Sequence, residues 1–474
     1  MVNSYFVDKI EDNFSHSFTH DQKTALAKIV EFIFSRSNNQ IFLLKGYAGT
    51  GKSSLIGSLV KTMNEFNQKA VLLAPTGRAA KVFSAYADQA AFTIHKKIYR
   101  MEKFTEGPGR FSLAENKHTF TLFIVDEASM ISNEAGDFSV FGSGRLLDDL
   151  MEYVYAGEGN KLLLIGDTAQ LPPVKQDSSP ALQAGTFQSF FFEVLESTLT
   201  EIVRQAEESG ILNNATMLRN ALRNNDTDNF PKLDIHSFKD MKRISGVDLI
   251  DEISSAYSHS GIEDTIVISR SNKRVNAYNN GIRNRVLYRE EELSPGDLLM
   301  ITKNNYFWTD NFENTDFLAN GEFVQVIRVR KQEEMYGFRF CTALLKHNDY
   351  EVDFEAKINL DSLHTEVPGL TRAQNDALFA AVLEDYSHIK QKRAKYKKVK
   401  ENPYFNALQV KYGYAVTCHK AQGGEWKNVF LDLGYVDRSY MGQNFYRWLY
   451  TSLTRSSEML YLVNLPNDFV ALPK

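Results

Sequence analysis

Short apolar runs alternate with helical patterns over the first 200 residues of the chain. The runs lie at residues 41–44, 71–74, 122–125 and 161–165. They are apolar almost throughout, which is typical of strands that are buried on both faces of a sheet. Because helical segments separate them, the pattern predicts a parallel sheet with crossover helices.

A second alternation of the same kind begins near residues 266–269 and resumes at 412–416 and 429–433. The chain between these parts has strand-like runs at 323–329 and 338–345, followed by a charged helical segment at 372–400. A polar stretch around Gly107-Pro108-Gly109 also interrupts the first alternation and predicts a hairpin at about 99–119. We therefore expect an α/β protein with a first domain at 1–200 and a second at 201–292 and 407–474. A β-rich module with a helical arm is inserted at 293–406.

Composition adds little to this picture. The 474-residue chain is 43% hydrophobic and carries a net charge of −5. No apolar run approaches the ~20 residues that cross a bilayer, and the first ten residues lack the apolar core of a signal peptide. The expected location is the cytoplasm, without membrane contact. Two distant cysteines, Cys341 and Cys418, predict neither a disulfide framework nor a zinc site.

One basic tract stands out against the negative net charge. Seven cations fall within residues 390–400, with Tyr396 among them. Such a tract is able to follow a phosphate backbone, although most runs of this kind are solvated helix faces. Both interpretations stay open at this point.

Residues 46–53, Gly-Tyr-Ala-Gly-Thr-Gly-Lys-Ser, match the P-loop pattern in full. They follow an apolar run and precede a helical pattern, which is the context that the motif requires. Backbone N–H groups of such a loop surround phosphates at a helix N-terminus. We expect Lys52 to reach the β- and γ-phosphates and Ser53 to bind Mg²⁺. The predicted nucleotide contacts of the loop are Gly46, Ala48, Gly49, Thr50, Gly51, Lys52, Ser53 and Ser54.

Two further apolar runs end in polar residues of matching chemistry. Asp126 and Glu127 follow the run 122–125, so Asp126 is predicted to hold Mg²⁺ and Glu127 to activate the attacking water. Gln170 follows the run 161–165 and would end beside the P-loop, where it can sense the γ-phosphate. A structural loop capped by Asp167 is the alternative interpretation of that segment.

Together these motifs resemble those of superfamily 1B helicases of the RecD and Dda group, with Pif-type helicases more distant. The resemblance covers nearly the whole chain. In the first domain it includes residues 74–81 (APTGRAAK), 93–95 (TIH), 126–130 (DEASM) and 166–174 (GDTAQLPPV), and residues 199–205 (LTEIVRQ) follow at the border with the second domain. In the second it includes 417–425 (TCHKAQGGE) and 450–455 (YTSLTR), with Cys418 and Gly424 as departures from the family pattern.

The resemblance implies two RecA-like P-loop NTPase domains, an inserted hairpin called the pin and an inserted SH3-like domain. It also implies ATP with Mg²⁺ as the fuel. Arg204 and Arg455 occupy the family's arginine-finger positions, which the second domain would contribute across the cleft. Gln22 matches a position whose amide reads adenine. Gly424 and Glu425 are the remaining expected ATP contacts.

The resemblance further implies a track for single-stranded DNA across both domains. Small hydroxyls and backbone donors suit a motor that must release its track at each step. The expected DNA contacts are Pro75, Thr76, Thr93, His95, Pro172, Asn272, Thr417, His419 and Lys420, with Phe104 and Phe111 on the pin. Alternatively, both phenylalanines pack under the hairpin.

The leading hypothesis is a DNA helicase that moves 5′ to 3′, acts on single-stranded and forked DNA, and works as a monomer beside other replication or repair proteins. The alternatives are a translocase with weak unwinding and a nucleotide-gated DNA-binding subunit. Intact Lys52, Glu127 and Arg455 argue against the last.

Overall fold

The computed structural model describes residues 2–14, 16–101, 111–134, 141–203, 208–309, 312, 317–349, 352–367 and 369–472. Within these ranges, no helix has both the length and the apolar character needed to cross a membrane.

The first lobe is built on a six-stranded parallel sheet. Its elements are α1 (Val2–Asp12), α2 (His20–Phe34), β1 (Gln40–Gly46), α3 (Lys52–Glu65), β2 (Lys69–Ala74), α4 (Gly77–Ala87), β3 (Ala91–Thr93), α5 (Ile94–Ile98), β4 (Tyr99–Met101), β5 (Phe111–Leu113), β6 (Thr121–Val125), α6 (Leu146–Tyr155), β7 (Lys161–Gly166), α7 (Ala184–Gln188) and β8 (Glu193–Leu199). The strand order is β3-β2-β6-β7-β1-β8, and every pairing is parallel. The four apolar runs of the sequence form β1, β2, β6 and β7, as predicted.

The order of the strands brings three motifs to one edge of this sheet. β1, β6 and β7 are neighbours or next neighbours, and parallel strands end at the same edge. The P-loop after β1, the acidic pair after β6 and the polar loop after β7 therefore converge there. β6 and β7 are buried throughout, as expected for central strands of a parallel sheet.

The rest of the chain forms a second lobe and an inserted barrel. Its elements are α8 (Gly210–Arg223), β9 (Met241–Ile244), α9 (Leu249–Ser260), β10 (Thr265–Ser269), α10 (Asn272–Arg285), β11 (Leu298–Ile301), β12 (Phe323–Met335), β13 (Phe338–His347), β14 (Asp353–Asn359), α11 (Asp361–His364), α12 (Arg372–Asp385), α13 (Lys392–Lys400), β15 (Leu408–Tyr412), β16 (Ala415–Thr417), α14 (Cys418–Ala421), β17 (Trp426–Asp432), α15 (Gln443–Leu453) and β18 (Ser456–Val463). The second parallel sheet has the order β16-β10-β17-β18-β9, and β11 to β15 close into a barrel.

Two predicted boundaries need correction. The barrel does not end at residue 406, because β15 pairs with β11 and β14 and so carries the barrel to Tyr412. The first lobe does not end at residue 200. The Asp21 carboxylate accepts hydrogen bonds from Thr200 and Glu201, and the Val203 N–H donates to the Gly49 carbonyl at 3.0 Å. These contacts hold the chain on the first lobe through Val203.

A buried ionic cluster fixes the barrel to the second lobe. The Asp297 carboxylate is fully buried and accepts from the Arg283 guanidinium at 3.0 and 2.9 Å. It also accepts from Arg289 and from the Tyr414 hydroxyl, each at 2.7 Å. These donors hold the pKa of Asp297 below its usual range against the opposing effect of burial. With its donors in place, the carboxylate joins the start of the barrel to α10 and to the chain that leaves the barrel.

Candidate nucleotide site and strand channel

The P-loop makes its turn with two glycines in the left-handed region. Gly49 has φ 75° and Gly51 has φ 74°, a conformation that glycine adopts without the strain of a side chain. The Lys52 ammonium donates to two carbonyl oxygens of the loop, both at 2.8 Å. α3 begins at Lys52, so the helix N-terminus faces the loop as a phosphate-binding site requires.

The structure does not support the predicted contact of Gln22 with adenine. Gln22 is 1% exposed, and its amide oxygen accepts from the Thr19 N–H at 2.9 Å in the capping box of α2. Its amide nitrogen donates to the Thr50 carbonyl at 3.0 Å. The oxygen and the nitrogen of the amide are therefore both hydrogen-bonded within the protein, and Gln22 stabilises the P-loop through its bond to Thr50.

A tyrosine that sequence reasoning missed contacts one of the two predicted Mg²⁺ ligands. The Tyr86 hydroxyl donates to the Asp126 carboxylate. Burial and the neighbouring Glu127 raise the pKa of Asp126 to about 6. A hydroxyl and a carboxylate oxygen are the hard ligands that Mg²⁺ prefers, so the residues present fit the ion. No motif marks Tyr86, which reaches the site because α4 packs against α3.

Glu127 lies at the junction of the two lobes. It adopts a left-handed backbone conformation with φ 52°, which is strained for a residue with a side chain. In the amide orientation that satisfies both neighbours, Gln170 donates to Glu127 Oε2 at 3.3 Å and accepts from Arg455 Nη2 at 3.2 Å. Arg455 Nη1 is itself 3.7 Å from Glu127 Oε1. The structure thus brings together three predicted catalytic residues from three distant segments.

Arg455 is held in this place by its own lobe. It is 5% exposed, and its guanidinium donates to the carbonyl oxygens of Thr451 and Gly424, each at 3.1 Å. The carbonyl of Glu425 instead accepts from Arg78 of the first lobe at 2.8 Å. Gly424 and Glu425, which were predicted to contact ATP, therefore use their carbonyls to orient two arginines.

A second tyrosine that sequence reasoning missed connects the lobes beside the P-loop. The Tyr450 hydroxyl accepts from the Ala48 N–H at 2.9 Å and donates to Asp167 Oδ2 at 2.5 Å. Burial raises the pKa of Asp167. The adjacent Thr451 accepts from the Leu171 N–H at 2.9 Å. Tyr450 lies within the motif of residues 450–455, and that membership is the only signal in the sequence.

A cavity of about 210 Å³ opens where both lobes meet the barrel. Six of the predicted DNA contacts line it together: Pro75, Thr76, Thr93, His95, His419 and Lys420. The barrel contributes four residues that were not predicted as DNA contacts, namely Asn304, Phe317, Asn320 and Glu322. Their role depends on how the insertion folds back over the lobes, which no local pattern encodes. We refer to this cavity as the strand channel.

The polar residues of the strand channel are positioned by helix starts and by the barrel. Thr76 and Thr93 are the N-caps of α4 and α5, and their hydroxyl oxygens accept backbone N–H groups, so each hydroxyl hydrogen remains available to donate. Lys420 donates to Asn320 of the barrel at 2.7 Å. Burial lowers the pKa of Lys420. Helix N-termini and an ammonium group on the same wall suit a phosphate backbone.

His95 lies in the channel wall against aromatic rings. Its ring centroid is 4.8 Å from that of Phe141 and 5.7 Å from that of Tyr99. Burial lowers the pKa of His95 to about 4. The imidazole is therefore neutral at pH 7 and offers a hydrogen bond, not a charge, to anything in the channel.

Phe111 is not placed as a DNA contact. The ring is 3% exposed and packs against Phe141, Tyr306 and Phe317, so no face of it is open to a base. This corrects the prediction for Phe111, because the base of the hairpin is an aromatic core shared with the barrel. β4 and β5 do pair as an antiparallel hairpin. Phe104 and Arg204 lie outside the described residues.

Three other predicted DNA contacts do not line the strand channel. Pro172 is buried in a neighbouring cavity of about 200 Å³ beside Gln170. Asn272 is exposed at the start of α10, and Thr417 is the N-cap of α14 just before the channel residues. The basic tract forms α13, on which only Val399 is fully buried. Lys397 and Lys398 pair with Glu401 there, and the helix contributes nothing to the channel.

The structure has two lobes, each built on a parallel sheet. The first lobe carries the P-loop, and an arginine of the second lobe lies at the acidic pair. This arrangement is that of a two-lobed P-loop nucleotide-binding protein. The AAA domain family matches residues 17–248, and the UvrD-like helicase C-terminal domain family matches residues 412–463. With the ordered motifs now located around one cleft, these two matches support a similarity to superfamily 1B helicases of the RecD and Pif type.

The chain is also similar to individual proteins and solved structures. The chain is 23% identical to protein R530 of Acanthamoeba polyphaga mimivirus, over 94% of this chain and 99% of that protein. It is 25% identical to the ATP-dependent RecD2 DNA helicase of Deinococcus radiodurans, over 90% of this chain but only 47% of that protein. A solved structure of a Bacteroides Pif1 helicase with ADP-AlF3 and single-stranded DNA aligns over 97% of this chain and 95% of that chain, at 15% identity and a TM-score of 0.46.

Proposed function

We propose that this protein is an ATP-dependent DNA helicase that travels 5′ to 3′ along single-stranded DNA and separates duplex ahead of it. The proposal includes ATP with Mg²⁺ as fuel, single-stranded and forked DNA as partners, and a monomer as the working unit. The direction of travel rests on the family resemblance. A relative named as an ATP-dependent DNA helicase supports the activity.

One line of contacts carries the proposal, because it joins the strand channel to the nucleotide site. Gln422 lines the channel, and its amide nitrogen donates to the Leu171 carbonyl at 2.8 Å. Leu171 directly follows Gln170, which contacts Glu127 and Arg455. A displacement of Gln422 by a bound strand would therefore move the residue that bridges the water-activating acid and the arginine.

The residues of the cleft fit a simple division of labour in hydrolysis. Ser53 and Asp126 would hold Mg²⁺, which supplies positive charge against the phosphate oxygens. Glu127 orients and deprotonates the attacking water, while Lys52 and Arg455 stabilise the charge that develops on the transferred phosphoryl group. Because Arg455 comes from the second lobe, closure of the lobes completes the site. Repeated closure and opening would step the lobes along the strand.

Strand displacement on two forked duplexes tests the proposal. One duplex carries only a 5′ single-stranded tail and the other only a 3′ tail, and each is incubated with ATP and Mg²⁺. We expect unwinding of the 5′-tailed duplex alone and no unwinding by the Lys52→Ala variant. Unwinding of the 3′-tailed duplex alone would overturn the direction. Loss of unwinding on both with DNA-stimulated ATP hydrolysis intact would instead indicate a translocase, and absence of hydrolysis would overturn the enzyme assignment.

A further inference from the structure

The hydroxyl of Tyr450 joins the two lobes at the P-loop itself. Tyr450 belongs to α15 of the second lobe and is 1% exposed. Both of its hydrogen-bond partners, the Ala48 N–H and the Asp167 carboxylate, belong to the first lobe. Ala48 is the third residue of the P-loop, and Asp167 begins the loop that carries Gln170. The hydroxyl therefore joins two first-lobe segments that border the nucleotide site.

The position of Tyr450 along α15 gives this contact a consequence for Arg455. The helix ends at Leu453, so only a short rigid stretch separates the tyrosine from the arginine. Thr451 lies between them. Its hydroxyl accepts from the Leu171 N–H, and its carbonyl accepts from Arg455 Nε at 3.1 Å. Tyr450 and Thr451, which are neighbours on one helix, thus hydrogen-bond to Asp167 and Leu171 at the two ends of the loop that contains Gln170.

The burial of these groups makes the contact specific. Asp167 is 2% exposed, and its other carboxylate oxygen accepts from the Ala169 N–H at 2.8 Å. A buried acceptor that loses a donor is costly, since no solvent replaces the bond. The pair Tyr450–Asp167 therefore favours one register of the second lobe on the P-loop over nearby registers.

We propose that Tyr450 is a positioning residue for ATP hydrolysis, whose hydroxyl sets the register of the lobes so that Arg455 and Gln170 meet Glu127. This inference rests on the proposed function. Tyr450 is assigned no contact with the nucleotide. It acts through the Ala48 amide, the loop from Asp167 to Leu171, and the short distance along the helix to Arg455.

The test is steady-state ATP hydrolysis by Tyr450→Phe with saturating single-stranded DNA. We expect kcat to fall roughly 10- to 100-fold, because small misplacements of catalytic groups have effects of that size. The KM for ATP and the Kd for DNA should change by less than about twofold, since no ligand contact is removed. A wild-type kcat, or a raised KM with unchanged kcat, would overturn the proposal.

Tyr446→Phe is the matched control. Tyr446 lies one turn earlier on α15 and is also buried, but its hydroxyl donates to the Asn229 carbonyl within the second lobe, at 2.8 Å. Loss of a buried hydroxyl alone should lower the thermal unfolding temperature of both variants and leave kcat of the control unchanged. An equal fall of kcat in the control would show that only the stability of the helix matters.

A second variant covers the case in which Tyr450→Phe does not fold. Thr451→Val removes the acceptor for the Leu171 N–H and keeps the shape of the side chain. It should give the same fall in kcat at unchanged KM, and a wild-type kcat would overturn the proposal. Failure of the proposed function is distinguishable, because then the wild-type protein itself would not hydrolyse ATP in response to DNA.

Discussion

The two clefts between the lobes are built in opposite ways. At the nucleotide site, Asp167, Gln170, Tyr450 and Arg455 are all buried and bonded to one another or to backbone groups. In the strand channel, the wall residues surround an open volume of about 210 Å³, and His419 is exposed. One cleft fixes distances between charged groups, and the other leaves room for many weak contacts.

This difference matches the function that we propose for each cleft. Stabilising a transition state requires donors that are fixed before the reaction. A strand that must advance at each cycle requires contacts that are individually weak and replaceable. Substitutions in the nucleotide site should therefore have large effects on turnover, and those in the channel should have small, additive effects on DNA affinity.

The largest effect is expected for Lys52→Ala. Loss of the ammonium that we propose contacts the phosphates should lower ATP hydrolysis by roughly 10³-fold or more. The thermal unfolding temperature should change little, because the hydrogen bonds of the Lys52 ammonium go to carbonyls of its own loop. Lys61→Ala, an exposed site on the same helix, is the control. Wild-type turnover by Lys52→Ala would refute the assignment of the nucleotide site.

Glu127→Gln should separate binding from hydrolysis. The amide keeps the shape of the carboxylate but cannot deprotonate water, so kcat should fall by roughly 10²–10⁴-fold. ATP affinity, measured by fluorescent-nucleotide titration, should be retained, and the complex with DNA should dissociate more slowly in ATP. Glu152→Gln on the surface of α6 is the control. Loss of ATP binding in Glu127→Gln would show that Glu127 holds the nucleotide instead.

A smaller effect is expected for Lys420→Ala in the channel. One lost phosphate contact should weaken single-stranded DNA binding by roughly three- to tenfold and reduce the slope of log Kd against log salt by about 0.7. ATP hydrolysis at saturating DNA should stay within about twofold. Lys239→Ala, exposed on the second lobe, should leave the slope unchanged. An unchanged slope for Lys420→Ala would show that Lys420 does not contact the DNA phosphates.

The last effect concerns stability instead of activity, namely the pH dependence of unfolding and His95. The pKa of His95 is lowered from 6.5 to about 4 by burial, so below pH 6.5 the unfolded chain binds a proton that the folded protein does not. Its contribution to the free energy of unfolding should therefore fall, on the order of 1–3 kcal/mol, as the pH decreases from 6.5 to 4. Denaturant unfolding of His95→Gln should show less of this loss. The exposed His236→Gln should behave as the wild-type protein does. An equal pH dependence of the free energy of unfolding in both variants would contradict the lowered pKa of His95.

The comparison also explains which parts of the site were predictable. The P-loop, the acidic pair and Gln170 each follow a buried strand directly, so a local pattern and the geometry of a parallel sheet are enough to place them together. The wall of the strand channel was predictable only in part. Thr76 and Thr93 cap helices that follow first-lobe strands, whereas Asn320 and Glu322 belong to an insertion whose position no periodicity reports.

The predictions that the structure does not support, and the residues that were missed, have the same physical origin. Gln22 and Phe111 were predicted as ligand contacts because each lies in or beside a segment that resembles a family motif. Burial and hydrogen-bond partners decide whether a side chain is open to a ligand. The Gln22 amide hydrogen-bonds within a capping box and to the P-loop. The Phe111 ring packs in an aromatic cluster that includes two barrel residues. Tyr86 and Tyr450 were missed because a tyrosine in a helix normally signals packing.

The sequence by itself predicted the two parallel sheets, the inserted modules and the candidate catalytic residues at the strand ends, because each depends on short-range periodicity and chain order. The tertiary structure alone decided the contacts between lobes: Tyr450 on the P-loop, Arg455 at Glu127 and the barrel over the channel. Those contacts join residues hundreds of positions apart. Their energies depend on burial and on partner geometry, and neither is written in any local segment of the chain.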